Sequence, residues 1–191
     1  KRRLFELLKS QGMQDNQQIT FWTDGGEDVR NLPLYLNPQA EHLLDWFHIT
    51  MRLTVLRQTA KGLAEKTGES EDQHDLREPV LDTLESINDI LAGNVFQATQ
   101  HLDNLEEDLT VAVDMLDDER TGKLLGAVEE FHAYIDNNRD FIPNYGERYR
   151  HGETISTATA ESTVNQVISK RMVKRQQMQW SQRGADRKSV V

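Results

Sequence analysis

The sequence predicts an α/β chain dominated by helices, and three observations carry that prediction. A strand, turn, helix, strand, helix order fills the first 66 residues, which is how a sheet with at least one parallel pair is written. From about residue 67 to 142 the apolar period is helical throughout, with no alternating run. The charge sign then reverses: 69–140 hold twenty acidic against four basic side chains, whereas Arg148, Arg150, Lys170, Arg171, Lys174, Arg175, Arg183, Arg187 and Lys188 face few acids. We therefore expect a partial sheet core over 1–66, an acidic all-α insertion over 67–142, a C-terminal helix with a basic face over 143–181, and a disordered tail over 182–191.

The elements follow in order. Leu4, Phe5, Leu7 and Leu8 group on one side of a helix that Gly12 stops. Residues 18–23 are rich in β-branched and aromatic side chains and predict a strand, ended by Asp24-Gly25-Gly26, a turn in which glycine permits angles other residues avoid. A short helix is expected over 27–36 with acids in its first turn, closed by Asn37-Pro38. His42 to Phe47 predicts a second strand, running into a helix from about 48 to 64. In the acidic stretch, Leu76, Val80, Leu84 and Ile87, then Leu102, Leu105 and Leu109, then Leu124, Val128, Phe131 and Ile135 recur at helical spacing. Gly93-Asn94 and Thr121-Gly122 are the expected breaks. A last helix is expected to begin near Ser156-Thr157, both good N-caps.

Composition narrows the chemistry. The chain has 191 residues and no cysteine, so disulfides, thiolate nucleophiles and zinc–thiolate sites are excluded. A metal must be held by oxygen or imidazole, which for a carboxylate site points to Mg²⁺ or Mn²⁺. No apolar run reaches the ~20 residues a membrane helix needs, and nothing resembles a secretory signal, so the cytoplasm is the expected location with no membrane partner. A net charge of −10 opposes a nucleic-acid partner in sum, but the basic C-terminal part suits phosphate.

Three constellations stand out. Asp24 directly follows an apolar strand, where open α/β sheets place ligand-binding carboxylates; an Asp-Gly pair also makes a plain turn. Asp45 and His48 sit where a strand enters a helix; taken alone, Asp45 as a helix cap and His48 as a satisfied polar group at the sheet edge is the plainer reading. Glu161 lies in the first turns of a helix that then carries Lys170, Arg171, Lys174 and Arg175, two adjacent basic stripes. A solvated face is one reading of that run; a helix lying along a DNA backbone is the other, with the cations holding substrate and the acid an ion.

The segments Phe21-Trp22-Thr23-Asp24-Gly25-Gly26, Leu44-Asp45-Trp46-Phe47-His48-Ile49 and Glu161-Ser162-Thr163-Val164-Asn165-Gln166-Val167-Ile168-Ser169-Lys170-Arg171-Met172 resemble, in wording and order, the ISKra-type insertion-sequence transposases of bacteria, relatives of the Mutator-like group. The resemblance runs to about Gly184-Ala185. It implies a DDE transposase with an RNase H-like core, whose second Asp matches Asp24 and whose Glu matches Glu161, both metal-binding with Mg²⁺ or Mn²⁺. It gives Asp45 and His48 a supporting role, makes the acidic helices the insertion domain, and leaves Lys170, Arg171, Lys174 and Arg175 for DNA. Transposon ends and target DNA are the implied partners, with a homo-oligomer in the intact protein. The first Asp of the triad would precede Lys1, so the chain is expected to be a C-terminal fragment, inactive by itself. Two rivals are a nuclease of the same fold and a non-enzymatic acidic helical interaction protein with a nucleic-acid-binding basic helix.

Overall fold

The computed structural model describes residues 1–26, 29, 31–63, 76–116 and 118–164, which fall into two compact units, Lys1–Ile155 and Ser156–Val191. Helices dominate, with one small parallel sheet, an arrangement of the α/β class.

In the first unit, α1 (Arg2–Ser10) ends before Gly12, whose φ of +101° is the left-handed backbone glycine takes at little cost. None of its residues is buried and Leu7 is 54% exposed, so its apolar stripe is largely uncovered. β1 (Thr20–Thr23) is shorter than the predicted strand by two residues. The next helix is α2 (Leu32–Leu36), shorter than the expected 27–36: Asn31 is its N-cap, no acid stands in its first turn, and Pro33 does, where a missing N–H costs nothing. The acids expected to open it, Glu27 and Asp28, lie outside the described residues. β2 (Glu41–Leu44) pairs in parallel with β1 in the register Thr20 to Glu41 and Thr23 to Leu44.

α3 (Trp46–Lys61) starts two residues before its expected position, because Asp45 caps it: the carboxylate Oδ1 accepts the Phe47 N–H at 3.0 Å. α4 (Arg77–Leu91), α5 (Val95–Leu116) and α6 (Glu119–Asn137) follow. Gly93-Asn94 separates α4 from α5, and Asn94 Oδ1 accepts the Gln97 N–H at 3.0 Å. The second break falls earlier than expected. Asp118 caps α6 by accepting the Arg120 N–H at 3.1 Å, and Thr121 and Gly122 lie inside the helix. That N–H, then the Arg120 guanidinium, holds the Asp118 carboxyl below its usual range. A cap satisfying an orphan donor outweighs the roughly 1 kcal/mol that a helical glycine loses against alanine.

α3 packs on α4 and α6, and α5 packs on both of those, so the four helices close a ring. The stripes that meet inside are Ile49, Leu53, Leu56 and Ala60; Val80, Leu84, Ile87 and Leu91; Leu102, Leu105 and Leu109; and Leu124, Val128, Phe131 and Ile135. Each shows the three-and-four spacing that puts side chains on one helix face, and each fully buried Leu or Ile contributes about 1.5–3 kcal/mol. Leu44 joins the same cluster, so the strand ends and the helices share one core. Past the 3₁₀ turn Arg139–Phe141, α7 (Tyr145–Arg150) seats Tyr145 in that core, its hydroxyl donating to the Leu44 carbonyl at 2.8 Å. Arg148 pairs with Glu41 on β2 and with Glu153, so this member of the basic run is engaged in the fold.

In the second unit a helix occupies 158–164 among the described residues, with the Ala158 N–H donating to Ser156 Oγ at 3.2 Å. No described helix is long and apolar enough to cross a membrane.

Candidate functional site

The parallel register decides where the first two acids go. Thr23 stands beside Leu44, and the Asp45 N–H donates to the Thr23 carbonyl at 2.9 Å. Asp24 and Asp45 therefore leave the carboxyl ends of two neighbouring strands, the edge at which open α/β sheets hold ligands.

The two acids then diverge. Asp45 is buried and spends one oxygen on the N-terminus of α3. Asp24 is exposed, its Oδ1 accepting the Gly26 N–H at 3.0 Å. The turn it opens is held from below. Gly25 has φ +82°, and a Cβ there would meet Asn138 Oδ1 and Leu44 Cδ1, each at 2.8 Å. Asn138 is buried at the end of α6, its Nδ2 donating to the Tyr134 carbonyl at 2.8 Å, while its Oδ1 has no hydrogen-bond partner among the described residues. The Tyr134 hydroxyl donates to the Asp24 carbonyl at 2.9 Å. A helix of the acidic stretch thus clamps the strand-end turn.

Asp24, Gly25, Gly26, His48, Met51, Arg52 and Tyr134 line one cavity of about 270 Å³. His48 and Arg52 are one turn apart on α3, so both present to the same side. The Arg52 guanidinium carbon lies 4.1 Å from the Tyr134 ring centroid, and its Nη1 is 3.5 Å from Glu130 Oε1. Burial pushes the Tyr134 hydroxyl up to about 12; Arg52 opposes that shift, and the charge of Asp24 adds to it. The Tyr145 hydroxyl is raised further, again chiefly by burial.

Of the residues singled out from sequence, Asp24 and His48 come to one cavity, and Asp45 sits behind it as a helix cap. Glu161 lies in the second unit, in the helix at 158–164, with its N–H donating to the Thr157 carbonyl at 3.0 Å. Lys170, Arg171, Lys174 and Arg175 lie outside the described residues. Sequence reasoning missed Arg52 and Tyr134. The four-residue step from His48 was a usable signal for Arg52; no local signal marks Tyr134. It also missed a grouping on the bundle, where Asp103, Glu106 and His132 bring ligand atoms within 4.8 Å of one another, His132 Nδ1 lying 2.8 Å from Glu106 Oε1.

The donor type at Asp24 fits a hard divalent ion: an exposed carboxylate on a rigid strand end, beside an imidazole. No family model, curated protein or solved structure matches the chain.

Proposed function

We propose that this chain belongs to an RNase H-like DNA transposase and serves metal-dependent phosphoryl transfer, the cleavage and joining of DNA strands. The observation that carries the reading is Asp24: an exposed carboxylate at the carboxyl end of a parallel strand, opening onto a cavity that also offers an imidazole and a guanidinium. Under this reading Asp24 and Glu161 are the ion-holding acids, for Mg²⁺ or Mn²⁺. A bound ion supplies positive charge that polarises a phosphoryl oxygen and makes a bound water or 3′-hydroxyl more acidic. Asp45 fixes the start of α3 and thereby the place of His48 beside Asp24. His48, at the wall of the cavity, is assigned the supporting role under this reading. Lys170, Arg171, Lys174 and Arg175 are assigned to the DNA backbone, which needs cations in number more than in pattern. Assembly into a homo-oligomer around two transposon ends belongs to the same reading.

The test is Mn²⁺ binding to the full chain, followed by the loss of the free-ion electron paramagnetic resonance signal. Outer-shell substitutions at metal sites weaken affinity about 10–100-fold, so Asp24→Asn and Glu161→Gln, which remove direct ligands, should each cost at least that. Both substitutions are nearly isosteric. Binding equal to the parent in both variants would overturn the reading and leave the non-enzymatic interaction protein as the better account.

A further inference from the structure

We propose that Arg52 is the phosphate-binding residue of the Asp24 cavity and that Tyr134 is its positioning residue. The ligand class is a DNA phosphodiester, so the inference rests on the functional reading above.

A metal-dependent reaction at a phosphodiester needs opposite charges side by side: a carboxylate to hold the ion and a cation to hold the non-bridging oxygens. The cavity supplies both, from different elements. Asp24 comes from the end of β1, and Arg52 from the second turn of α3, one turn beyond His48. Arginine suits the task because its planar fork can give two parallel N–H bonds to one phosphate.

The environment of Arg52 favours a ligand over a structural partner. Its carboxylate neighbour is Glu130, at a single contact of 3.5 Å, beyond ordinary hydrogen-bond length, and that side chain is 78% exposed. Such a pair is weak and easily exchanged for a phosphate. The firmer contact is the Tyr134 ring, 4.1 Å from the guanidinium carbon. A ring contact of this kind leaves the N–H groups at the guanidinium edge able to bond elsewhere.

Tyr134 does a second thing. Its hydroxyl donates to the Asp24 carbonyl at 2.9 Å while its ring carries Arg52. One side chain therefore ties the position of the cation to that of the carboxylate. Pre-set spacing of this sort removes ordering entropy that substrate binding would otherwise have to overcome.

The experiment uses the full chain and a fluorescein-labelled 20-base-pair duplex, with anisotropy titrations at several salt concentrations in the absence of divalent ions. Each phosphate neutralised contributes about −0.9 to the slope of log affinity against log salt. Arg52→Gln should flatten the slope by about that one contact, whereas Arg52→Lys should keep the slope and bind more weakly, since the charge remains but the planar fork is lost. Tyr134→Leu should weaken binding about 2- to 5-fold, the size of an exposed cation–π contact, and Tyr134→Phe, which keeps the ring but loses the hydroxyl tie to Asp24, should recover only part of that loss. A merely structural tyrosine would lower the melting temperature without moving the duplex affinity. Parent slope and affinity in Arg52→Gln, or no duplex binding at low salt, would overturn the proposal. The two failures are separable: Mn²⁺ binding that depends on Asp24, with an unmoved duplex slope in Arg52→Gln, removes the phosphate contact alone. A flattened slope with Mn²⁺ binding indifferent to Asp24 and Glu161 removes the catalytic reading and leaves the phosphate contact standing.

Discussion

Placing a single methyl group on the turn behind Asp24 should destabilise the protein more than most surface substitutions do. At Gly25 the backbone is left-handed, φ +82°, a region that costs an L-residue about 1–2 kcal/mol. The added Cβ would also stand 2.8 Å from Asn138 Oδ1 and 2.8 Å from Leu44 Cδ1. Neither neighbour has room to retreat. Leu44 is fully buried in the core, and the Asn138 amide is tethered through its own hydrogen bond to the Tyr134 carbonyl. Overpacking of that kind costs about 1–3 kcal/mol, so Gly25→Ala should lose about 2–5 kcal/mol in all. For a chain of this size that is a fall of roughly 5–20 °C in Tm. Gly126 makes the contrast: it lies within α6, and a Cβ there meets nothing within 4 Å. Gly126→Ala should therefore gain about 0.5–1 kcal/mol from reduced chain entropy. Thermal melts followed by circular dichroism at 222 nm measure both. A Gly25→Ala protein melting within about a degree of the parent would refute the account of the turn, since the cost per kcal/mol is several times that.

Two further outcomes follow from the packing and the titration. Leu53→Ala on α3 and Leu102→Ala on α5 should each cost about 2–5 kcal/mol and should shift one and the same urea transition, because both side chains belong to one cluster; two separate transitions would refute the shared core. Burial holds the Tyr134 proton on in the folded state up to about 12, against an ordinary value of 10. The folded protein therefore binds more protons than the unfolded chain in that window, and the associated stability, complete below pH 10, drains away as pH rises towards 12. Tyr134→Phe should lose less stability than the parent across this range of urea midpoints, and parallel losses in the two proteins would contradict it.

The local parts of this structure were legible in the sequence, and the parts set by distant contacts were not. The β-branched and aromatic residues of Thr20–Thr23 and the Asp-Gly-Gly that follows place Asp24 after a strand, because both signals lie within a few residues of each other. The stripes of α4, α5 and α6 were readable for the same reason, since each repeats every three or four positions. Thr121-Gly122 is not a break because Asp118 caps the helix three residues earlier, and a cap that satisfies an orphan N–H outweighs the helix cost of one glycine. The apolar stripe of α1 promised burial that the described residues do not supply, because amphipathicity states a need for cover and not what provides it. Which tyrosine would reach Asp24 was beyond any local pattern. That contact depends on how the ring of helices closes, and ring closure is a property of the whole packed core.

The hydroxyl bond between Tyr134 and Asp24 joins residues 110 positions apart, and the bond between Tyr145 and Leu44 joins residues 101 apart. A ribosome adding about 5–20 residues each second needs roughly 5–20 s to bring such a pair into existence. For that interval the newborn strand end has neither of its tyrosine anchors, and whatever ordering the turn acquires in the meantime is provisional. Chain synthesis itself thus schedules this corner of the protein to mature late, after α6 has been translated.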